Sequence, residues 1–255
     1  MSWAYSTLVA EVYDFHLPIG FSNGDVEYYA RHLAGVRRTI LEPATGTGRV
    51  LIPLLEAGFR VEGLDHSPEM LAICRQHCLE RGLEPVLRIG DMESFVQPEA
   101  YEAVIIPAGS IRNLDGRNAV LRALSCFHES LVPGGRLIVD VAAPRPVTEP
   151  GPLRYWRRDA YLWTQQPVHV RFDPLANRTT MLIRYEKWAD GELLTTELHS
   201  FCLQYWGRDA FEALLAEAGF AVTAVTADYQ DDNEPGPDSL DWTFHATRSS
   251  GGTRG

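Results

Sequence analysis

Lysine is almost missing from this chain: Lys187 is the only one among 255 residues. Arginine and lysine together number 23 against 34 Asp and Glu, a formal charge of -11. That balance argues against a polyanion partner, because nucleic-acid affinity comes mostly from basic side chains neutralising phosphates. Long hydrophobic runs are absent as well. No apolar stretch reaches the length that spans a bilayer, and no charged, apolar, small-residue leader opens the chain, so no membrane association is expected and a cytoplasmic location is. Cysteine is scarce. Cys74, Cys78, Cys126 and Cys202 match no zinc-ligand spacing, and a cytosolic setting disfavours disulfides, so they read as small buried hydrophobes and no metal site is expected. What remains is a globular composition, 45% apolar and 10% aromatic, on a chain long enough to bury a large core.

The most informative stretch runs from Arg38 to Leu71, R-T-I-L-E-P-A-T-G-T-G-R-V-L-I-P-L-L-E-A-G-F-R-V-E-G-L-D-H-S-P-E-M-L. It reads as strand, glycine turn, helix and second strand, with an acid at the second strand's tip. Such a unit holds a nucleoside, since the turn lets backbone approach the ligand and the acid accepts hydrogen bonds from ribose hydroxyls. The dinucleotide fingerprint G-x-G-x-x-G is not met. Counted from Gly46 the third glycine falls on Leu51, and counted from Ala44 it falls on Arg49. A nicotinamide cofactor is therefore disfavoured.

Instead, Glu42 precedes a small-x-Gly-x-Gly turn over Ala44–Gly48. This resembles the first motif of the class I S-adenosylmethionine-dependent methyltransferases, E/D-x-G-x-G-x-G, with Ala44 replacing the first glycine. Alanine is expected there at negative φ, the position needing smallness rather than a left-handed backbone. The resemblance continues in order: V-E-G-L-D ending at Asp65, R-I-G-D-M with Asp91 and Met92, Y-E-A-V-I-I-P-A-G-S over 101–110, and L-V-P-G-G-R-L-I-V-D-V over 131–141. It implies an S-adenosylmethionine site built from Tyr13, Glu42, Ala44, Thr45, Gly46, Gly48, Asp65, His66, Met70, Asp91, Met92 and Pro107. Asp65 would take the ribose diol, Asp91 the adenine amine, and Met92 would pack the ring.

The fold expected is α/β, a Rossmann-like seven-stranded methyltransferase sheet with an antiparallel β insertion after strand five. Residues 1–37 form an aromatic N-terminal cap with a short helix over 26–33. Residues 38–145 and 207–247 form the cofactor-binding domain, with a helix over 118–131 before strand five. Residues 146–206 form the insertion, read as three strands separated by D-P-L-A-N and A-D-G-E. Helix 209–218, closed by Gly219, leads to the last two strands, and 248–255 is a disordered tail. The insertion is expected to roof the site, to cover apolar surface, or to form a homodimer interface.

With A-Y-S-T-L-V-A-E-V-Y-D near the start, the L-V-P-G-G turn, the β insertion and Y-W-G-R-D-A-F-E-A-L-L-A-E-A-G-F, the whole chain is similar to small-molecule methyltransferases, especially the sugar amine N,N-dimethyltransferases of antibiotic pathways. That resemblance implies a tyrosine at Tyr5 and another at Tyr13 near cofactor and substrate. Where those enzymes often carry histidine at the end of an S-S-x-x-H loop, this chain has Asn113 in G-S-I-R-N. The expected activity is methyl transfer to a nitrogen or oxygen of a small acceptor in secondary metabolism; a cofactor-binding protein without methyl transfer is the alternative. Tyr5, Ser110, Arg112 and Asn113 are the substrate candidates, Arg112 as an anchor for carboxylate or phosphate. Tyr5, His16 and Asn113 are the catalytic candidates, with Asp14 and His128 also weighed as bases and His128 assigned to structure. The loop after strand four lacks the N/D-P-P-Y pattern that grips planar amides and bases, which disfavours nucleic-acid and protein-amide acceptors.

Overall fold

The computed structural model describes residues 5–249. Seven strands form one sheet in the order β10-β11-β5-β4-β1-β2-β3. They are β1 (Ile40–Pro43), β2 (Val61–Asp65), β3 (Leu87–Ile89), β4 (Tyr101–Ile106), β5 (Leu131–Ala142), β10 (Phe220–Ala227) and β11 (Asp241–Arg248). The four central pairings among β1–β5 are parallel, while β11 runs antiparallel to β5 and β10 to β11. This is the sheet expected from the sequence. Strand order reverses at β1, between β2 and β4, the place where open α/β sheets bind ligands beyond their carboxyl ends.

Both faces of the sheet are covered, and alternation along the strands decides which side chain goes where. Leu41, Val104, Leu137 and Val139 face one core with α5 (Gly116–Ser130) and α6 (Arg208–Glu217), around Phe127, Phe211 and Phe244. Ile40, Ala103, Ile105 and Ile138 face the other, against α2 (Asp25–His32), α3 (Leu51–Glu56) and α4 (Pro68–Glu80). Cys74 and Cys78, one helical turn apart on α4, are both buried in that second core. The sequence L-V-P-G-G, read as a turn, lies inside β5 as an irregularity of register against β4.

The insertion is a separate antiparallel sheet, and it has four strands rather than the three expected: β6 (Arg154–Arg158), β7 (Tyr161–Asp173), β8 (Arg178–Ala189) and β9 (Glu192–Gln204), in that order. β6 was missed because R-Y-W-R-R has no apolar alternation and emerges from a proline-rich stretch. The sheet packs on α1 (Thr7–His16), burying Leu8, Val9 and Val12 against Trp163, Met181, Ile183 and Tyr185. Glu11 fastens the two together, accepting from Trp163 Nε1 at 2.7 Å and from Lys187 Nζ at 2.9 Å. The lone lysine also sits 4.9 Å from the Trp163 ring centre. Arg248, placed in the tail by the sequence reading, is the last residue of β11 and its guanidinium donates to the Leu131 carbonyl. The rest of that tail beyond Ser249 lies outside the described residues.

Candidate active site

The glycine turn follows β1 directly. Its backbone is anchored by Thr45 N donating to Leu64 O at 3.1 Å and Gly48 N to Thr45 O at 3.0 Å. Ala44 has φ +55, so the negative φ expected from its side chain is wrong. The turn demands a left-handed residue here, and alanine accepts one at a local cost of about 1–2 kcal/mol. Smallness and left-handedness are both required. Gly46, at φ +58, lies beneath Tyr13: a Cβ there would stand 3.6 Å from Tyr13 Cε1.

Arg49, next to Gly48, locks the turn to the cap. Its guanidinium meets the Asp25 carboxylate of α2, with Nη1–Oδ1 at 3.1 Å and both side chains buried. Burial alone would raise the Asp25 carboxyl, but Arg49 and Ser22 hold it below the usual carboxylate range.

Asp65, at the tip of β2, is buried. It accepts from Gly46 N at 2.8 Å and Ser67 N at 2.9 Å. Burial pushes its carboxyl up, and these two backbone donors oppose the shift. One carboxylate thus ties the glycine turn to the start of α4, where Ser67 Oγ caps Met70 N at 3.2 Å and Pro68 occupies the first turn. Asp91 follows β3, and its Oδ1 accepts from Glu93 N at 2.9 Å.

Between these strand tips lies a cavity of about 730 Å³. One wall carries Tyr13, Ala44, Gly46, Asp65, Met70 and Asp91, with His66 and Met92 beside them. The other is the turn Pro107–Asn113 after β4, which presents Ser110, Arg112 and Asn113. Tyr5 and His16 close it from the cap. Glu42, Thr45, Gly48 and Pro107 do not line the cavity; they are buried behind the turns that do.

Beside the glycine turn Thr47 Oγ1 is buried without a hydrogen-bond partner, and the Thr45 hydroxyl lies against the buried Glu42 carboxyl. Burial pushes the Glu42 carboxyl up to about 8, against the pull of nearby Arg49. Buried polar groups normally find partners. A strand-tip cavity with the Asp65 and Asp91 carboxyls and the Gly46 turn in its wall fits a nucleoside ligand.

Residues 40–135 match the methyltransferase-domain family. A dTDP-3-amino-3,6-dideoxy-alpha-D-glucopyranose N,N-dimethyltransferase from Streptomyces fradiae is 34% identical over 53% of this chain and 54% of its own length. The comparisons support an S-adenosylmethionine-dependent methyltransferase. The Bacillus subtilis (strain 168) protein YqeM, which bears a methyltransferase name, is 28% identical over 82% of this chain and 84% of its own. The fold is similar to that of SAM-bound CalS10, an amino pentose methyltransferase from Micromonospora echinaspora. That match has a TM-score of 0.67 and 21% identity, over 98% of this chain and 100% of the other.

In this methyltransferase the candidate bases have fixed engagements. His16 Nε2 faces Arg154 Nη1 at 2.9 Å, so its lone pair accepts from the guanidinium. Burial and that charge both lower its pKa. Asp14 is bonded to His77 at 2.9 Å and lies outside the cavity wall. His128 packs against Phe220 and Gly219, far from the strand tips. Ser110 Oγ donates to the Pro107 carbonyl at 2.9 Å.

Sequence reasoning offered the insertion as one possible roof but named none of the β9 residues. His199, Phe201, Cys202 and Leu203 line the cavity, and the His199 ring stacks on Tyr5 with centroids 5.5 Å apart and planes 17° from parallel. Nothing in T-T-E-L-H-S-F-C-L distinguishes those residues from any half-buried strand. Burial lowers the His199 pKa, keeping its imidazole neutral at neutral pH, and raises the Tyr5 and Tyr13 hydroxyls far out of the physiological range.

Proposed function

We propose that this methyltransferase acts on a nitrogen or oxygen of a small-molecule acceptor, in secondary metabolism and in the cytoplasm. S-adenosylmethionine supplies an activated methyl on a sulfonium, so positioning the acceptor's lone pair provides most of the acceleration. In this reading Asp65 takes the ribose hydroxyls and Asp91 the adenine amine, with Met92 against the ring, while Glu42 supports the glycine turn from behind. Tyr13, over the glycine turn, adds a cation–π attraction of about 0.5–2 kcal/mol.

The observation that carries the proposal is the cavity's second wall. Beyond the cofactor strands, the space is bounded by Tyr5 of the cap, the turn with Arg112 and Asn113, and His199–Leu203 of β9. A site enclosed by two added elements suits a small acceptor better than a polymer, and the acidic chain supports that preference. Relatives acting on amino sugars favour nitrogen, and a neutral amine needs no strong base before transfer. Tyr5, His199 and Asn113 would then orient the nucleophile. A homodimer through the outer edge of the insertion belongs to the same reading, since Leu193, Leu194 and Leu198 of β9 are exposed there.

The test is methyl-labelled S-adenosylmethionine with a panel of amino sugars, small amines and phenols, following labelled product and S-adenosylhomocysteine release. Transfer to at least one amine or hydroxyl is expected, weakened in Tyr5→Phe and Asn113→Ala. Wild-type turnover unaffected by both substitutions would refute this placing of the acceptor.

A further inference from the structure

Charge in the cavity is unevenly answered. Four carboxylates line it, and all of them already have protein partners, Asp91 accepting from Glu93 N. Asp65 takes two backbone N–H groups, Glu93 pairs with Arg122, and Asp115 pairs with Arg178. Among the described residues, Arg112 is the one arginine or lysine in the cavity wall. Its Nε is buried without a hydrogen-bond partner. Asp241 is near enough to act on it through its charge but forms no hydrogen bond with it, and burial lowers the guanidinium's affinity for its proton.

Shape rather than a counter-ion holds this side chain. The guanidinium carbon lies 5.8 Å from the Tyr205 ring centre. Tyr205 is itself buried, its hydroxyl accepting from Val147 N at 3.1 Å. On the other side, Gly109 at φ +66 leaves the space Arg112 fills, since a Cβ there would come within 3.0 Å of Nε. A guanidinium presents five donors in a planar fork, and a desolvated charge without a partner is costly unless something supplies acceptors. Carboxylate and phosphate match the fork with two parallel hydrogen bonds.

We infer that the acceptor carries an anionic group, carboxylate or phosphate, which docks on Arg112 and fixes the nucleophile's position in the cavity. This rests on the reading that the cavity admits a small acceptor beside the cofactor. It makes Arg112 a specificity determinant: acceptors with the anion are selected over their neutral counterparts.

The probes are sodium acetate and sodium pyrophosphate, each against sodium chloride at matched ionic strength. They are added to protein saturated with S-adenosylhomocysteine, and thermal unfolding is followed. Wild type should show a saturable rise in Tm with at least one of them, about 3–6 °C at tenfold its Kd. The anion that acts tells carboxylate from phosphate. Arg112→Gln should lose most of the rise, and Arg112→Lys, which keeps the charge but not the fork, should retain part of it. S-adenosylhomocysteine binding, measured separately, should match wild type in both variants. An equal rise in Arg112→Gln, or no rise in wild type with either anion while S-adenosylhomocysteine binds normally, overturns the inference alone. Failure of wild type to bind S-adenosylhomocysteine overturns the reading beneath it as well.

Discussion

The two glycines of the first motif are expected to fail differently when given a methyl group. At Gly48, φ is +93 and an added Cβ would stand 2.8 Å from Cys74 Sγ and 3.0 Å from Ile52 Cδ1, both inside the packed core. Gly48→Ala therefore combines left-handed strain of about 1–2 kcal/mol with overpacking of about 1–3 kcal/mol. A total near 2–5 kcal/mol should lower Tm by about 5–15 °C in a chain of this size. At Gly46 the new Cβ would meet only the Tyr13 ring at 3.6 Å, an ordinary contact, and φ +58 is the left-handed well alanine tolerates best. Gly46→Ala should cost about 1 kcal/mol in stability yet weaken cofactor binding, because its methyl enters the cavity. Gly46→Leu should abolish binding in a folded protein. The assay is thermal unfolding beside calorimetric titration with S-adenosylhomocysteine. Cys74→Ala in the Gly48→Ala background should recover part of the packing loss and none of the φ strain, which a double-mutant cycle isolates. If Gly48→Ala melts no lower than Gly46→Ala, the division of labour drawn from these distances is wrong.

Other consequences follow from the same turn. Asp25→Ala leaves Arg49 as a buried unpaired cation and should destabilise by about 3–5 kcal/mol by denaturant unfolding; a loss under 1 kcal/mol would contradict the buried pair. For Glu42, burial raises the folded pKa to about 8 against an ordinary value near 4.5, so the folded chain binds the extra proton between those values. Stability from this group is full below the unfolded pKa and falls as pH rises toward 8. Tm of Glu42→Gln should therefore gain on wild type from pH 5 to 8, in apo protein, and flatten above. A pH-independent difference would show that Glu42 ionises normally. Asp140→Ala should unsettle the acceptor-side turn, since Asp140 receives Ala108 N at 2.9 Å, Tyr229 Oη at 3.1 Å and Thr243 Oγ1 at 2.8 Å. Faster amide exchange at Ala108 and Gly109 is the expected sign.

The cofactor side of this protein was legible because its chemistry is local. Glu42, Gly46 and Asp65 sit at strand tips that periodicity and turn residues mark, and strand order then brings β1, β2 and β3 to one edge. The sequence misread Ala44 for an instructive reason: side-chain size is visible in the letter, whereas the sign of φ is set by how the turn rejoins α3. The acceptor side was legible only in part. Arg112 and Asn113 follow a recognisable strand, but β9 reaches the cavity through a hairpin sheet whose docking on α1 depends on Leu8, Val9 and Val12 meeting Trp163 and Ile183, residues more than 140 positions apart. No spacing rule announces that contact. His16 shows the converse, a plausible base by position whose lone pair is taken by Arg154 from β6, the strand the pattern did not reveal.

The central claim is that the strand-tip cavity holds S-adenosylmethionine through the Gly46–Asp65 edge. Isothermal titration of wild type and Asp65→Ala with S-adenosylmethionine, S-adenosylhomocysteine and NAD tests it directly. Micromolar binding of the first two to wild type, none of NAD, and loss of binding in a folded Asp65→Ala are expected. Full-strength binding to the folded variant, or binding of NAD in place of the sulfonium ligand, would contradict the account.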